Sequence, residues 1–425
     1  MNFLKNKYFL WFLGTLTVLI IVNAGYNKYK RYIKKKPVYD YVLDKGNVYH
    51  EIDANNLDQL KKIGITTTEF TPERLVKFDT KTYVYNFSGL PIKNKIMKEE
   101  YKVPRQSFMT VDSVIAVSDG TNQDKPWFIK GDHFFRPYEQ RNNRPDIIMN
   151  KISKDGKRLT LNPSARKILK IKGTTVFFKG SQNLFHHIAE SLPSIITTGL
   201  DPKKHKVAIS HDQDLIIDTL KHLGFSEENI IYLHPKTSYE FEKLIIPSVL
   251  YGGNNINMDP DLTIQAIKTL KNKSKNHASL FSKSGGGYIY VSRADAARRV
   301  LNEEPLIKEL KKRGFEIVIP GSLSLADQIK FFKDAKVIVA PHGAGLTNLL
   351  FANNQKALIE FFSHLYLDDG FIRISRLNRA KEYHRLIFKS SEPSLKKNRF
   401  GIAANYYVDV EKALEIIDKV IKKYS

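Results

Sequence analysis

A histidine and two glycines stand where one apolar run of this sequence ends and a second begins. Residues 339–354 are VAPHGAGLTNLLFANN, in which His342, Gly343, Ala344 and Gly345 follow a run typical of a buried strand. Glycines at a strand-to-helix junction let backbone N–H groups approach a ligand closely, and a helix N-terminus favours anions. The stretch therefore predicts a site for a phosphate or diphosphate.

A second stretch points to the same chemistry. Residues 291–306 are VSRADAARRVLNEEPL, which places Arg293 and Arg298 after a strand-like segment and Asn302 at the start of a helix-like one. Guanidinium groups donate paired hydrogen bonds to phosphate oxygens. Because ligands of parallel sheets bind beyond the carboxyl ends of the strands, these arginines are expected on the same edge as His342.

The glycine run alone leaves three interpretations open. A dinucleotide fingerprint would need a third glycine where Asn348 stands, although Glu360 lies about 20 residues on, where a ribose-binding carboxylate is expected. A serine-hydrolase oxyanion loop could use His-Gly-small-Gly, but the chain contains no Gly-x-Ser-x-Gly elbow. A tight turn that only packs a helix on a strand is the third interpretation.

Composition indicates a large folded protein with excess positive charge. The chain has 425 residues, of which 42% are hydrophobic and 26% charged, with a net charge of +24 and no cysteine. The length suits two domains, and the lack of cysteine excludes disulfides and thiolate metal clusters. The basic residues are scattered along the chain, which favours diffuse attraction for anions over a specific nucleic-acid site.

The N-terminal segment predicts a membrane anchor. Residues 8–26 are YFLWFLGTLTVLIIVNAGY, uncharged and about long enough to cross ~30 Å of hydrocarbon as a helix. An uncleaved anchor is favoured over a signal peptide because no convincing cleavage pattern follows. Two basic residues precede the segment and six follow it by position 36, which favours a body on the cytoplasmic face of a bacterial inner membrane. A Golgi-lumen location, permitted by sequons at Asn86 and Asn272, is the alternative.

Strand-like and helix-like segments alternate from residue 173 and again from residue 288. Such alternation indicates parallel sheets covered by helices. We predict an anchor and basic stalk over 1–36, an N-terminal lobe over 37–270, a linker over 271–287, a C-terminal lobe over 288–405, and a final helix over 406–425 that packs back on the body.

Together these segments resemble glycosyltransferase family 61. The resemblance rests on YVSRADAARRVLNEEPL, GFEIVIPGSLSLADQIKFFKDAKVIVAPHGAGLTNLLFA and ALIEFF, and it extends upstream to SQNLFHHIAESLP at 181–193. It covers about residues 173–362. Leu184 stands where the family frequently has an aromatic residue, and His187 where tryptophan is usual. Both positions would line the acceptor side, so they bear on the identity of the acceptor.

The resemblance implies an α/β protein with a GT-B-like fold, in which two Rossmann-like lobes face a cleft behind an N-terminal transmembrane helix. It implies an inverting glycosyltransferase that needs no metal or cofactor. The donor would be a nucleotide diphosphate sugar, a UDP-sugar in the first place, held by the C-terminal lobe. The acceptor would be a glycan or glycolipid in surface (capsular) polysaccharide biosynthesis. The alternatives are a Golgi-type protein or glycan transferase of the same family and a basic nucleic-acid-binding protein without catalysis.

For catalysis, His186 and Glu190 are the candidate bases, since residues four apart share one face of a helix. The predicted donor-binding residues are Arg293, Arg298, Asn302, His342, Gly343, Ala344, Gly345, Thr347, Asn348 and Glu360. The acidic pair in Asp212-Gln213-Asp214 has metal-ligand spacing but follows a strand-like segment as an ordinary strand exit, so no metal site is predicted there.

Overall fold

The computed structural model describes residues 39–42, 48–52, 56–91, 100–103, 105–117, 126–135, 150–152, 158–161, 167–210, 214–234, 237–247, 251–252, 255–256, 258–274, 285–391, 397–398, 401–402 and 404–425. The predicted anchor at 8–26 and the stalk therefore lie outside the described residues. Among the residues that are described, no helix is both long and apolar enough to cross a membrane.

The strands fall in the following places. They are β1 (Tyr39–Val42), β2 (Val48–Ile52), β3 (Ile65–Thr71), β4 (Arg74–Lys77), β5 (Lys81–Asn86), β6 (Glu100–Val103), β7 (Gln106–Val117), β8 (Trp127–Lys130), β9 (His133–Phe135), β10 (Asn150–Ile152), β11 (Arg158–Leu161), β12 (Lys167–Phe178), β13 (Lys206–Ile209), β14 (Ile230–Tyr232), β15 (Thr237–Pro247), β16 (Tyr251–Gly252), β17 (Asn255–Ile256), β18 (Tyr288–Val291), β19 (Glu316–Val318), β20 (Val337–Pro341), β21 (Ala357–Ser363), β22 (Glu382–Phe388), β23 (Lys397–Asn398) and β24 (Gly401–Ile402).

The helices lie mainly between these strands. The α-helices are α1 (Leu57–Lys62), α2 (Leu192–Ile196), α3 (Asp214–His222), α4 (Pro260–Ser274), α5 (Glu303–Lys312), α6 (Leu325–Phe332), α7 (Gly370–Leu377) and α8 (Val410–Tyr424). Short 3₁₀ helices occupy Glu227–Asn229, Pro320–Ser322 and Ala344–Phe351, and a π-helix occupies His186–Ser191.

The first sheet is mixed. Its strands run in the order β10-β11-β2-β9-β8-β7-β15-β12-β13-β14, with β1 beside β12 and β3 beside β7. The strands β15, β12, β13 and β14 are parallel neighbours, whereas β7 pairs antiparallel with β15 and β8. The alternation that begins at residue 173 thus marks only the parallel end of a larger sheet.

The second sheet is parallel throughout, in the order β19-β18-β20-β21-β22-β5. Every residue of β20 and β21 is buried, as expected of near-continuous apolar strands covered on both faces. The carboxyl ends of β18, β20 and β21 therefore lie on one edge of the sheet. The predicted α/β class, with parallel sheets, is confirmed.

An early segment completes this second sheet. β5 lies within the predicted N-terminal lobe by sequence, but it pairs with β22 from Lys81 opposite Glu382 to Asn86 opposite Ile387. The ring of Tyr83 also stacks on His384, with centroids 4.7 Å apart. The predicted lobe boundaries stay predictions, but residues before 100 supply an edge strand of the later sheet.

One apolar core joins the helices of both sheets. Phe185, Ile188 and Leu192 belong to the same buried cluster as Leu346 and Phe371. Because this cluster is continuous, the segment around residue 190 and the segment around residue 345 are packed into a single body. A second cluster packs α8 against the other face of the second sheet.

A buried ion pair attaches β4 to the start of α4. Two nitrogens of Arg74 donate to the two oxygens of Asp259, each at 2.7 Å, and the Asp259 side chain has no exposed area. The same carboxylate accepts the backbone N–H groups of Asp261 and Leu262, so it also caps the helix.

Arg74→Met is expected to lower the free energy of unfolding by about 3 kcal/mol, because it leaves the Asp259 carboxylate buried without its cation. Urea denaturation monitored by circular dichroism measures the change. The matched control is Lys77→Met, which removes the exposed pair of Lys77 with Glu100 and should cost no more than about 0.5 kcal/mol. Equal losses in the two variants would contradict the prediction.

Candidate active site

The loop after β20 forms the centre of the candidate site. His342 follows the strand, and Gly343 has extended backbone with φ 166° and ψ 167°. The helix that the sequence predicted next is the 3₁₀ helix Ala344–Phe351. Its first turn closes through the N–H of Leu346, which donates to the carbonyl of Gly343 at 2.9 Å. This tighter turn is typical of short helical pieces.

Arg293 lies directly on Gly343. β18 ends at Val291, on the same sheet edge as the end of β20, and Arg293 follows two residues later. A Cβ added to Gly343 would overlap Nη1 of Arg293, with Cζ and Nε close behind. The extended backbone of Gly343 would suit any residue, but a side chain here would push the Arg293 guanidinium out of this position.

Arg298 contacts the same loop. Its Nη2 donates to the carbonyl of His342 at 2.9 Å, and its guanidinium lies 4.4 Å from the centroid of the Tyr366 ring. Nε of Arg293 donates to the carbonyl of Arg298 at 3.2 Å. The structure thus brings the two arginines together at the loop that carries His342 and Gly343.

The two arginines have uncharged partners. Within the described residues, neither forms an ion pair with a carboxylate; their hydrogen bonds go to backbone carbonyls. Burial and the adjacent charge of Arg298 lower the pKa of Arg293. Two partly buried cations side by side are costly, so an anion bound between them would be stabilised.

The His342 ring is hydrogen-bonded to the buried side chain of Glu360. Its Nδ1 lies 2.6 Å from Oε1 of Glu360, and its ring stacks on Phe362 with centroids 4.8 Å apart. Burial lowers the pKa of His342 to about 3 and raises the pKa of Glu360 to about 8. Glu360 has no exposed area, so the ribose contact expected from its position in the sequence is replaced by a contact with His342.

Three other predicted donor-site side chains are buried or engaged elsewhere. Thr347 and Asn348 have no exposed area, and Nδ2 of Asn348 donates to the carbonyl of Gly345 at 3.0 Å. The side chain of Asn302 makes two hydrogen bonds with the backbone of Val408, at 2.8 and 2.9 Å. Asn348 and Asn302 thus bond to backbone groups near the loop and near Arg298, and the donor-binding role of Asn302, Thr347 and Asn348 stays a prediction.

His186 and Glu190 lie on a π-helix where the sequence predicted an α-helix. The N–H of Leu192 bonds to the carbonyl of His187, five residues back, and π-helical turns are frequent at functional sites. Nδ1 of His186 lies 2.7 Å from Oε2 of Glu190. The His186 side chain is 36% exposed and that of Glu190 is buried. The imidazole of this pair is therefore accessible to solvent, whereas the carboxylate is not.

The adjacent histidine has a structural environment. His187 has no exposed area, its Nε2 lies 2.9 Å from the hydroxyl of Thr219, and burial lowers its pKa to about 3. Of the two positions that depart from the family pattern, only Leu184 is partly exposed.

Aromatic contacts connect the histidine pair to the loop. The ring centroids of Phe185 and His186 lie 5.5 Å apart, those of Phe185 and Phe371 5.4 Å, and those of Phe371 and His342 5.2 Å. Phe371 is the second residue of α7, the helix that follows β21. His186, the candidate base, and His342 in the loop 342–345 therefore lie at the two ends of one series of ring contacts through Phe185 and Phe371.

Sequence reasoning missed the loop that follows β21. Tyr366 lies under Arg298, and Oδ1 of Asp369 accepts from Nη2 of Arg385 at 2.5 Å. Two signals were present. The run SHLYLDDG at 363–370 begins at the last residue of a buried strand, at the ligand-binding edge. Arg385 lies inside a strand whose residues are all buried, and a buried arginine is unusual unless it is paired.

Within the part of the chain that the structure describes, no cluster of three or more His, Asp or Glu side chains is placed to hold a metal ion. Asp214 begins α3, while Asp212 and Gln213 of the acidic pair lie outside the described residues.

Comparisons with known proteins match this region. Residues 184–359 match the family described as Glycosyltransferase 61, which confirms the resemblance and the expectation of a glycosyltransferase. The chain is also similar to the EGF domain-specific O-linked N-acetylglucosamine transferase of Drosophila melanogaster, with 28% identity over 137 residues. That similarity covers 30% of this chain and 26% of the relative, so the chain matches about a quarter of the relative's length.

The predicted location on the cytoplasmic face of a bacterial inner membrane is wrong by this comparison. The relative is named for EGF domains, which are disulfide-dense modules of secreted proteins. The positive-inside argument rested on charges around residues 8–26, which lie outside the described residues.

Gly343→Ala is expected to weaken anion binding at the loop, because the new methyl group would displace the Arg293 guanidinium. Titration calorimetry with UDP measures the loss, which should be about 10- to 100-fold for one guanidinium contact of about 1.5–3 kcal/mol. Gly287→Ala is the control, since its Cβ would make only ordinary contact with Lys336 at 3.6 Å. UDP binding by Gly343→Ala at the level of Gly287→Ala would contradict the prediction.

Proposed function

We propose that this protein transfers a sugar from a nucleotide diphosphate sugar to an acceptor hydroxyl, with inversion at the anomeric carbon, in a GT-B-like arrangement; the match of residues 184–359 to glycosyltransferase 61 supports this. One observation supports this more than any other. Arg293 and Arg298 lie side by side on the loop 342–345 without carboxylate partners among the described residues, as a site for a leaving diphosphate requires.

In this proposal, the donor diphosphate binds between the two arginines and the tip of the loop, where Ala344 and Gly345 are partly exposed. The negative charge that develops as the diphosphate leaves is stabilised by the two guanidiniums. Groups fixed before the reaction make the largest contribution to such stabilisation. With this charge supplied by arginines, the proposed reaction includes no metal, and a UDP-sugar is the first candidate donor.

His186 is the proposed base. The acceptor oxygen bonds to C1 of the sugar while the bond from C1 to the diphosphate oxygen breaks, and the acceptor proton passes to the imidazole. With Nδ1 bonded to Glu190, Nε2 is the ring nitrogen for this transfer. The buried carboxylate of Glu190 orients the ring and stabilises the imidazolium that forms.

Two acceptor classes follow from different observations. The resemblance of the glycine loop to surface-polysaccharide enzymes of the family favours a glycan or glycolipid hydroxyl. The printed name of the Drosophila relative favours a hydroxyl of a folded protein domain. Incubation with radiolabelled UDP-sugars and either oligosaccharides or EGF-type domains separates the classes, because product forms in only one of the two reactions.

UDP-, GDP-, CMP- and TDP-sugars are expected to differ in a thermal-shift screen, with one raising the melting temperature. A ligand at 100 times its dissociation constant stabilises by about 2.7 kcal/mol. The shift should be lost in Arg298→Met and kept in Arg299→Met, the adjacent exposed arginine. If no nucleotide sugar shifts the wild type, or if Arg298→Met responds as Arg299→Met does, the donor site is wrongly assigned.

His186→Gln is expected to lower kcat by about 100-fold or more with donor affinity unchanged, because general base catalysis contributes about 10²–10⁴-fold. His187→Gln is the matched control: it removes the buried contact with Thr219 and should lower stability while keeping most of kcat. Steady-state transfer kinetics and urea denaturation of both variants provide the measurement. Equal kcat values in the two variants would remove His186 from the mechanism.

A further inference from the structure

Glu360 is engaged on both carboxyl oxygens. Oε1 lies 2.6 Å from Nδ1 of His342, and Oε2 lies 2.7 Å from the hydroxyl of Tyr383. Since the side chain has no exposed area, Glu360 can affect a ligand only through His342.

Arg385 fixes the direction of the hydrogen bonds on one side. Its Nε lies 3.3 Å from the Tyr383 hydroxyl oxygen, and a guanidinium only donates. The Tyr383 oxygen therefore accepts from Arg385, and its own proton is donated to Oε2 of Glu360. The charge of Arg385 is balanced by Asp369 at 2.5 Å, so it does not have to be balanced by Glu360.

On the other side, one proton lies between Oε1 of Glu360 and Nδ1 of His342. Enclosure favours the neutral form of each group: burial raises the pKa of Glu360 to about 8 and lowers the pKa of His342 to about 3. Arg298, which donates to the His342 carbonyl, adds to the cost of a charged imidazole. The charged and titratable groups that act on this pair are Tyr366, Tyr383, Tyr406, Arg385, Asp368, Asp369, Arg293 and Arg298.

We propose that Glu360 is held as a neutral acid that donates its proton to Nδ1 of His342, so that the imidazole keeps its own proton on Nε2 and presents a donor to the anion bound at the loop. No described residue bonds to Nε2, and the atom is not sealed from solvent. An ionised Glu360 would reverse this arrangement: Nδ1 would carry the proton, and a lone pair on Nε2 would face the anion. Glu360 is thus a positioning residue; that the anion is a diphosphate rests on the proposed function.

The tautomer of His342 tests the proposal without any ligand. Nitrogen-15 NMR of histidine-labelled protein at about pH 7, with the signal assigned by its loss in His342→Gln, distinguishes the three forms of the ring. A neutral ring protonated on Nε2 is expected. A neutral ring protonated on Nδ1, or an imidazolium, overturns the proposal.

The pH dependence of binding gives a second test, with UDP and inorganic pyrophosphate as probes in titration calorimetry. Glu360→Gln keeps a donor to Nδ1 but cannot ionise. Between about pH 7 and about pH 9.5, Glu360 ionises in the wild type and the Nε2 donor of His342 is lost. Wild-type affinity should therefore fall about tenfold more than the affinity of Glu360→Gln, because one hydrogen bond to a charged group contributes about that much. Tyr383→Phe removes a donor that stabilises the carboxylate, so its loss of affinity should move to higher pH.

The outcomes separate this proposal from the proposed function. Equal pH dependence in the wild type and Glu360→Gln overturns the role of Glu360 and leaves the donor site standing. Failure of the wild type to bind either probe, together with an Nε2-protonated His342, contradicts the diphosphate site and leaves the tautomer assignment supported.

Discussion

The candidate site depends on the close approach of a guanidinium to a backbone that has no side chain. Arg293 occupies the space where a Cβ of residue 343 would lie, and this contact places it beside Arg298. Positive charge is thereby concentrated on a loop at the carboxyl edge of a parallel sheet, with neutral hydrogen-bond partners. Such an arrangement is costly in an empty site and favourable when an anion is bound, which is the condition for holding a diphosphate as it leaves a sugar.

The polar groups beneath this loop are connected, and their connection explains why a buried strand carries charge. Arg385 bonds to Tyr383, Tyr383 to Glu360, and Glu360 to His342. Each group has a partner, as buried polar groups require. Four residues after Arg298, the amide of Asn302 bonds to the backbone of Val408. Glu360, which the sequence assigned to the ligand, instead bonds to His342 and fixes the position of its ring.

The histidine pair approaches from a different part of the chain. The π-helix carries His186 and Glu190 in contact, and Phe185 meets Phe371, which in turn contacts His342. The family match over residues 184–359 spans both groups. A base candidate and a proposed anion site at the two ends of these aromatic contacts would suit the proposed inverting transfer, in which the acceptor is deprotonated on the side opposite the leaving group.

The sequence by itself determined the α/β class, the alternation of strands and helices after residue 173, the resemblance to glycosyltransferase family 61, and the residues singled out at the loop and the π-helix, because these depend on local pattern and short motifs. Only the tertiary structure decided that β5 joins the later sheet, that Glu360 lies under His342, and that His187 is sealed while His186 is exposed. Strand pairing across 300 residues and the depth of a side chain depend on which distant segments pack together, and one sequence carries no local signal for either.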